Sequence, residues 1–310
     1  MKSSWKKSVD FWNVFWFETR PPETIVTFRI ACGLLTSIHF ALLINHGSQW
    51  YGPNGLLNVD AGRYLIGETV EGTGSAYRWS LLFSFPALTP LVAGLGLIAS
   101  LATVAGLGAR LSPIAVWLCM CTFQNRAPLL TLLYEPLLFA MMAYLAIDPG
   151  RLTWTIQPGF TSGPPRMSVN LVSRLTRCHL WIWIAFSLSS MLANSIWWNG
   201  EAVWMLMKQQ RAWIELPDGF EWCAQVLTHV VIATQAGFLI CVIQGTFDWL
   251  ARWLLLLFAL SVLLLLGDWM YASVLIVSSL ALWPFQVPFQ IAPSIENDNS
   301  TNESRLASRI

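Results

Sequence analysis

Residues 123–148 read FQNRAPLLTLLYEPLLFAMMAYLAID, and the reading of this stretch decides the fold. A polar triplet, Gln124, Asn125 and Arg126, is followed by Pro128 and an apolar run long enough to cross a bilayer as a helix. One carboxylate, Glu135, interrupts that run. A charge placed so far inside an apolar segment is costly in lipid, faces the interior of a helix bundle and marks a site.

The rest of the chain has the same character. Of its 310 residues 55% are hydrophobic and 11% charged, with a mean hydropathy of +0.54. A soluble domain carries about 25% charged residues. Too little polar surface remains to cover a soluble core, so the composition predicts an all-α polytopic membrane bundle. The net charge of +1 gives no electrostatic case for a nucleic-acid partner. Eighteen tryptophans, several at the ends of apolar runs, suit the headgroup zone of a bilayer. The basic start of the chain has no apolar run before Arg20, so no cleaved signal peptide is expected. Six cysteines form no metal-binding pattern and read as small apolar packing residues; no metal site is expected.

Apolar runs place about eight spans, at roughly 24–45, 85–108, 113–123, 128–147, 176–198, 222–244, 249–267 and 269–285. They divide the chain into an N-terminal segment (1–23), a transmembrane domain (24–285) and a polar tail (286–310) whose composition predicts disorder. Lys2, Lys6, Lys7, Arg20, Arg110, Arg151, Arg166, Arg174, Arg177, Arg252 and the tail's Arg305 and Arg309 fall on one side of this arrangement. Only Arg63, Arg78, Arg126, Lys208 and Arg211 fall on the other. The positive-inside bias makes both termini cytoplasmic in a multi-pass cell-membrane protein.

That topology fixes depth. At the helical rise, His39 lies roughly 9 Å below the outer surface, and Glu135 and His229 roughly 10 Å below it. Asn194 sits near the outer end of the fifth span, and Asn125 and Arg126 at the outer mouth. These six residues are read as a polar cluster lining a cavity open to the outer face. A buried carboxylate needs a partner or a proton, so Glu135 is expected to meet His39 or His229. The alternative is a polar clamp that fixes helix packing and touches no ligand. Arg29 reads as an inner-leaflet snorkelling residue. Trp197, Asn199 and Gly200 read as an interfacial turn after the fifth span. There is no Walker loop, HExxH, nucleophile elbow or CxxC.

Four segments, taken in order, resemble one family. They are FRIACGLL (28–35), WYGPNGLL (50–57), QNRAPLLTLLYEPLLF (124–139) and WWNGEAVW (197–204). Together they look like the HTTM (horizontally transferred transmembrane) domain, which includes the membrane part of vitamin K-dependent gamma-carboxylase and sporulation-delaying-protein-B-like proteins. The resemblance spans roughly residues 10–285. It implies a helical bundle with its chemistry on the outer face. In the carboxylase a catalytic lysine precedes the Trp-x-x-Gly element, which Trp197 and Gly200 match here. The preceding residues are Ser189, Ser190, Met191, Leu192, Ala193 and Asn194, and no lysine stands between Lys7 and Lys208. The carboxylase's large extramembrane domain is also absent. The expectation is therefore a membrane protein that binds or assembles with a lipid, a quinone or another membrane protein, not an active peptide gamma-carboxylase. The alternative is an enzyme acting on a lipid or quinone-like substrate with Glu135 and a histidine as acid and base.

Overall fold

The computed structural model describes residues 9, 12–20, 23–61, 80–127, 130–150, 166–208, 219–244 and 247–282. The polar tail, Arg63, Arg78, Arg151 and Arg211 lie outside these residues, as does Pro128. The described structure is all-helical and contains no strand. Its principal helices are α1 (Glu23–Tyr51), α2 (Thr89–Ala105), α3 (Leu111–Arg126), α4 (Glu135–Leu145), α5 (Met167–Leu192), α6 (Glu221–Gln244), α7 (Asp248–Ser261) and α8 (Trp269–Leu282). A helix thus stands at each of the eight expected positions, and four segments are long and apolar enough to cross a membrane: Ile25–Tyr51, Pro86–Ala105, Glu221–Ile243 and Asp248–Leu266.

Boundaries differ from the sequence reading where local chemistry sets them. α1 continues past residue 45 to Tyr51 and ends only at the WYGPNGLL turn. α2 starts at a proline in its first turn and stops at Gly106, whose φ of 74° is left-handed. α4 begins at Glu135, not near 128, with Pro136 in its first turn. Glu135 is therefore not deep in a helix: it stands where the helix dipole favours an anion. α7 runs on as a π-helix, Val262–Leu266, and ends at Gly267, also left-handed at φ 64°.

The α1–α2 pair is the most extensive contact in the bundle. On α2 the face toward α1 carries Ala93, Gly96, Ser100 and Thr103, all buried. The opposite face carries Leu91, Leu95, Ile98 and Leu101, all exposed. This inverts the soluble pattern, with small residues inside and large apolar residues outside, as expected of helices that associate in lipid by close backbone approach. α8 closes the bundle by packing against α1, α5 and α7, while α4 packs against α3 and α5.

Gly33 is a point of close approach between α1 and α2. A Cβ there would stand 2.7 Å from Val104 Cγ2 and 3.1 Å from the Val104 backbone nitrogen. Gly33→Leu is expected to destabilise the bundle by about 1–3 kcal/mol, read as a lower thermal midpoint in detergent. Gly94 has nothing within 4 Å of its Cβ position, and Gly94→Leu is the matched control that leaves the midpoint unchanged.

Candidate functional site

The end of α3 is held by one buried cation–backbone contact and by the ring of a tyrosine. Arg126, at the last turn of α3, is 0% exposed. It donates through Nη2 to the Leu57 carbonyl at 3.0 Å and lies over the Phe83 ring at 4.7 Å. Leu57 ends the WYGPNGLL turn, which is closed by its own bonds, Leu57 N–H to Trp50 O at 2.9 Å and Leu56 N–H to Gln49 O at 2.8 Å. Tyr51 meets Phe123 edge to face at 5.4 Å between ring centres. Two of the segments that carry the family resemblance are thus in direct contact. Asn125 points along its own helix to Cys121 Sγ at 3.2 Å. The Tyr51 phenol lies within electrostatic range of both Glu135 and Arg126.

His39 is 6% exposed and bonds the Tyr134 hydroxyl at 3.0 Å through Nδ1. Its partner is the residue before Glu135, not the carboxylate itself. Near the other end of α4, Tyr144 bonds His179 Nδ1 at 3.1 Å. α4 and the turn before it therefore meet two histidines through phenols, and no carboxylate–histidine pair forms among the described residues. Glu135 instead meets Leu132 through its backbone, its N–H donating to the Leu132 carbonyl at 3.0 Å.

His229 and Asn194 do not join this group. His229 is exposed on α6, and its Nδ1 bonds its own helix at Gln225 O, 2.8 Å away. The depth estimate gave its height but not its azimuth, which turns it off the bundle axis. Asn194 is exposed and accepts from Ile196 N–H at 3.0 Å, capping the one-turn helix Ser195–Trp198. Arg29 corrects the snorkelling reading. It is 1% exposed and donates to the carbonyls of Pro149 and Gly150 at 3.0 and 2.7 Å, satisfying backbone just after α4.

The WWNG element is a docking turn on α6. Gly200 adopts φ 79°, and a Cβ there would stand 3.0 Å from Gln225 Cβ. The Thr228 hydroxyl donates to Gly200 O at 3.0 Å and accepts from Val203 N–H at 3.2 Å. Asn199 is exposed, its N–H bonded to Ser195 O at 2.8 Å. Trp198 Nε1 donates to Leu192 O at 2.6 Å.

Trp197 lines a partly open cavity of about 420 Å³ bordered by α5, α6, α7 with its π-helix, α8, the short helix Ala202–Lys208 and Leu133 from the turn before α4. The size suits a small ligand, for which ~300–1,000 Å³ is usual. Its wall is overwhelmingly apolar, with Phe258, Val262 and Leu265 from the α7 side. A π-turn inside an α-helix is frequently found at functional sites. Trp197 lines it, as do Ser190 and Met191 from the stretch where the carboxylase-like lysine would stand; His39, Asn125, Arg126, Glu135, Asn194 and His229 do not. The other lining residues were missed because an apolar cavity wall is written in the same letters as a packed core. One signal was present: Trp183, Ser187, Ser190 and Met191 recur on one face of α5. Among the described residues no group of histidine, cysteine and carboxylate side chains could hold a metal ion.

Arg126→Met removes the donor from a buried carbonyl and is expected to cost about 1.5–3 kcal/mol. Amide hydrogen exchange read by mass spectrometry should show the loss concentrated in residues 50–57, with α6 and α7 unaffected.

No family model, no curated protein and no solved structure matches this chain.

Proposed function

We propose that this chain is a multi-pass cell-membrane protein of the HTTM type that binds an apolar ligand and does not turn one over. In this reading all eight principal helices are spans, both termini are cytoplasmic, and the cavity lies in the outer half of the bilayer. Three things support it: the eight helices at the expected places, the Lys and Arg bias of the flanks, and the contact between two family-like segments through Arg126 and Leu57.

The observation that carries the binding reading is the separation of the cavity from every histidine and carboxylate of the proposed cluster. General acid–base catalysis needs a titrating side chain within hydrogen-bond reach of the substrate. Glu135, His39 and His229 are absent from the wall of the 420 Å³ cavity. The missing lysine before Trp197 argues in the same direction against peptide carboxylation. The polar residues at the outer mouth act in this proposal as the clamp, and the apolar cavity as the site.

The test is retention. Protein purified in detergent should carry an apolar molecule, recovered by organic extraction and counted by mass spectrometry at close to one per chain. Val262→Trp, which fills the cavity from the π-helix, should abolish that retention while circular dichroism stays unchanged. Retention unaffected by Val262→Trp would overturn the assignment of the cavity. A purified protein that oxidises a quinol, with the turnover lost in Glu135→Gln, would overturn the non-catalytic reading.

A further inference from the structure

The cavity wall is not uniformly inert. Tyr271, in the first turns of α8, is 5% exposed and lines the cavity together with Trp183 of α5. The two are joined by their polar ends: Trp183 Nε1 donates to the Tyr271 hydroxyl at 2.9 Å. An indole nitrogen can only donate, so the phenol oxygen is the acceptor in this bond. The Tyr271 hydroxyl proton remains, and nothing among the described residues accepts it. The backbone of Tyr271 is pinned separately, its N–H donating to Asp268 Oδ1 at 2.9 Å. A buried donor without an acceptor costs about 1–3 kcal/mol, so its persistence at a cavity wall calls for a ligand.

The serines of α5 make the same point by contrast. Ser173, Thr176 and Ser189 each donate to a carbonyl one turn back in the helix, at 3.0, 2.9 and 2.8 Å. This is the ordinary way a helix hydroxyl disposes of its proton. Ser187 and Ser190 line the cavity, and neither is so bonded among the described residues. The wall therefore offers hydroxyl groups on an otherwise apolar, partly open surface, and no carboxylate, lysine, arginine or histidine lines it. A charged headgroup would be left unpaired there; a neutral hydrogen-bond acceptor on an apolar body would not.

We infer that the cavity holds a neutral, carbonyl-bearing apolar molecule, its oxygen accepting from Tyr271 and its body packed among Phe258, Val262 and Leu265. This rests on the cavity being a ligand site. The carbonyl has two natural sources, the acyl ester of a bilayer lipid and a ketone carried on an isoprenoid chain; both meet the same donor. Trp183 acts as a positioning residue. By occupying one lone pair of the phenol oxygen it fixes the ring and turns the proton toward the ligand.

The experiment compares two probes, a long-chain methyl ketone and the alkane of matched length, bound to full-length protein in detergent and measured by native mass spectrometry. Wild type should bind the ketone about tenfold more tightly than the alkane, the order of one buried hydrogen bond. Tyr271→Phe should erase that preference and leave alkane binding unchanged. Because Tyr271→Phe orphans the Trp183 N–H, the double variant Trp183→Phe with Tyr271→Phe is measured beside it and should behave alike. Equal binding of ketone and alkane by wild type would overturn the donor assignment while leaving the cavity reading intact. Binding of neither probe would overturn both. A diacyl glycerolipid and an isoprenoid ketone, competed against the methyl ketone, then assign the source: displacement by either supports the inference, and displacement by neither overturns it.

Discussion

Backbone that leaves a helix inside an apolar bundle must still find hydrogen-bond partners, because lipid supplies none. Two buried guanidiniums meet that demand here, one at each end. Arg29 holds the Pro149 and Gly150 carbonyls after α4, and Arg126 holds the Leu57 carbonyl after α1. An arginine suits the task because its fork presents several donors and stays charged in almost any surroundings. The stacking of Arg126 on Phe83 adds a polarisable face where solvent would otherwise screen the charge. Remove these contacts and the turns that join the helices have no reason to sit where they do. The placement of α4, and with it Tyr134 and Glu135, follows from them.

Around this frame, helix association is managed by size. Close approach at Gly33 and Gly96 lets α1 and α2 pack backbone to backbone, with Phe40 lodged over Gly96. The large residues of α2 are left for the outside. On the far side of the bundle the chain does the opposite. Phe258, Val262 and Leu265 surround a space rather than fill it, and helix α7 departs from α-helical geometry as it passes that space. One half of the molecule is thus close-packed and the other hollow, and the WWNG turn with Thr228 secures the hollow half from the outside.

Helix number and position were legible because apolar runs in a membrane chain leave little room for another reading. Helix starts were less so. Glu135 looked like a mid-span charge because of its place in the apolar run, although Pro136 beside it is a local sign that the helix starts there; the first turn that follows explains why the charge is tolerable. Arg29 was misread because its partners lie 120 residues away in sequence. His229 was misread because depth was inferred without rotation, and a helix residue has both. The histidine pairing was anticipated as acid with base and is instead His39 with Tyr134 and His179 with Tyr144. Tyrosines in an apolar run read as packing aromatics, and only the fold reveals that their hydroxyls are spoken for.

The one β-bridge among the described residues has a consequence for how the chain is threaded. Arg20 and Arg166 exchange backbone hydrogen bonds in both directions, at 3.1 and 2.9 Å. The segment between them, containing α1 to α4, therefore leaves and returns to a single point. As a polymer it is a closed ring, and ring closure costs only about 0.6 kcal/mol more for each doubling of length, so so long a loop is hardly dearer than a short one. The junction divides the chain into a ring that holds α1 to α4 and a remainder, α5 to α8, that packs against a ring whose two ends meet.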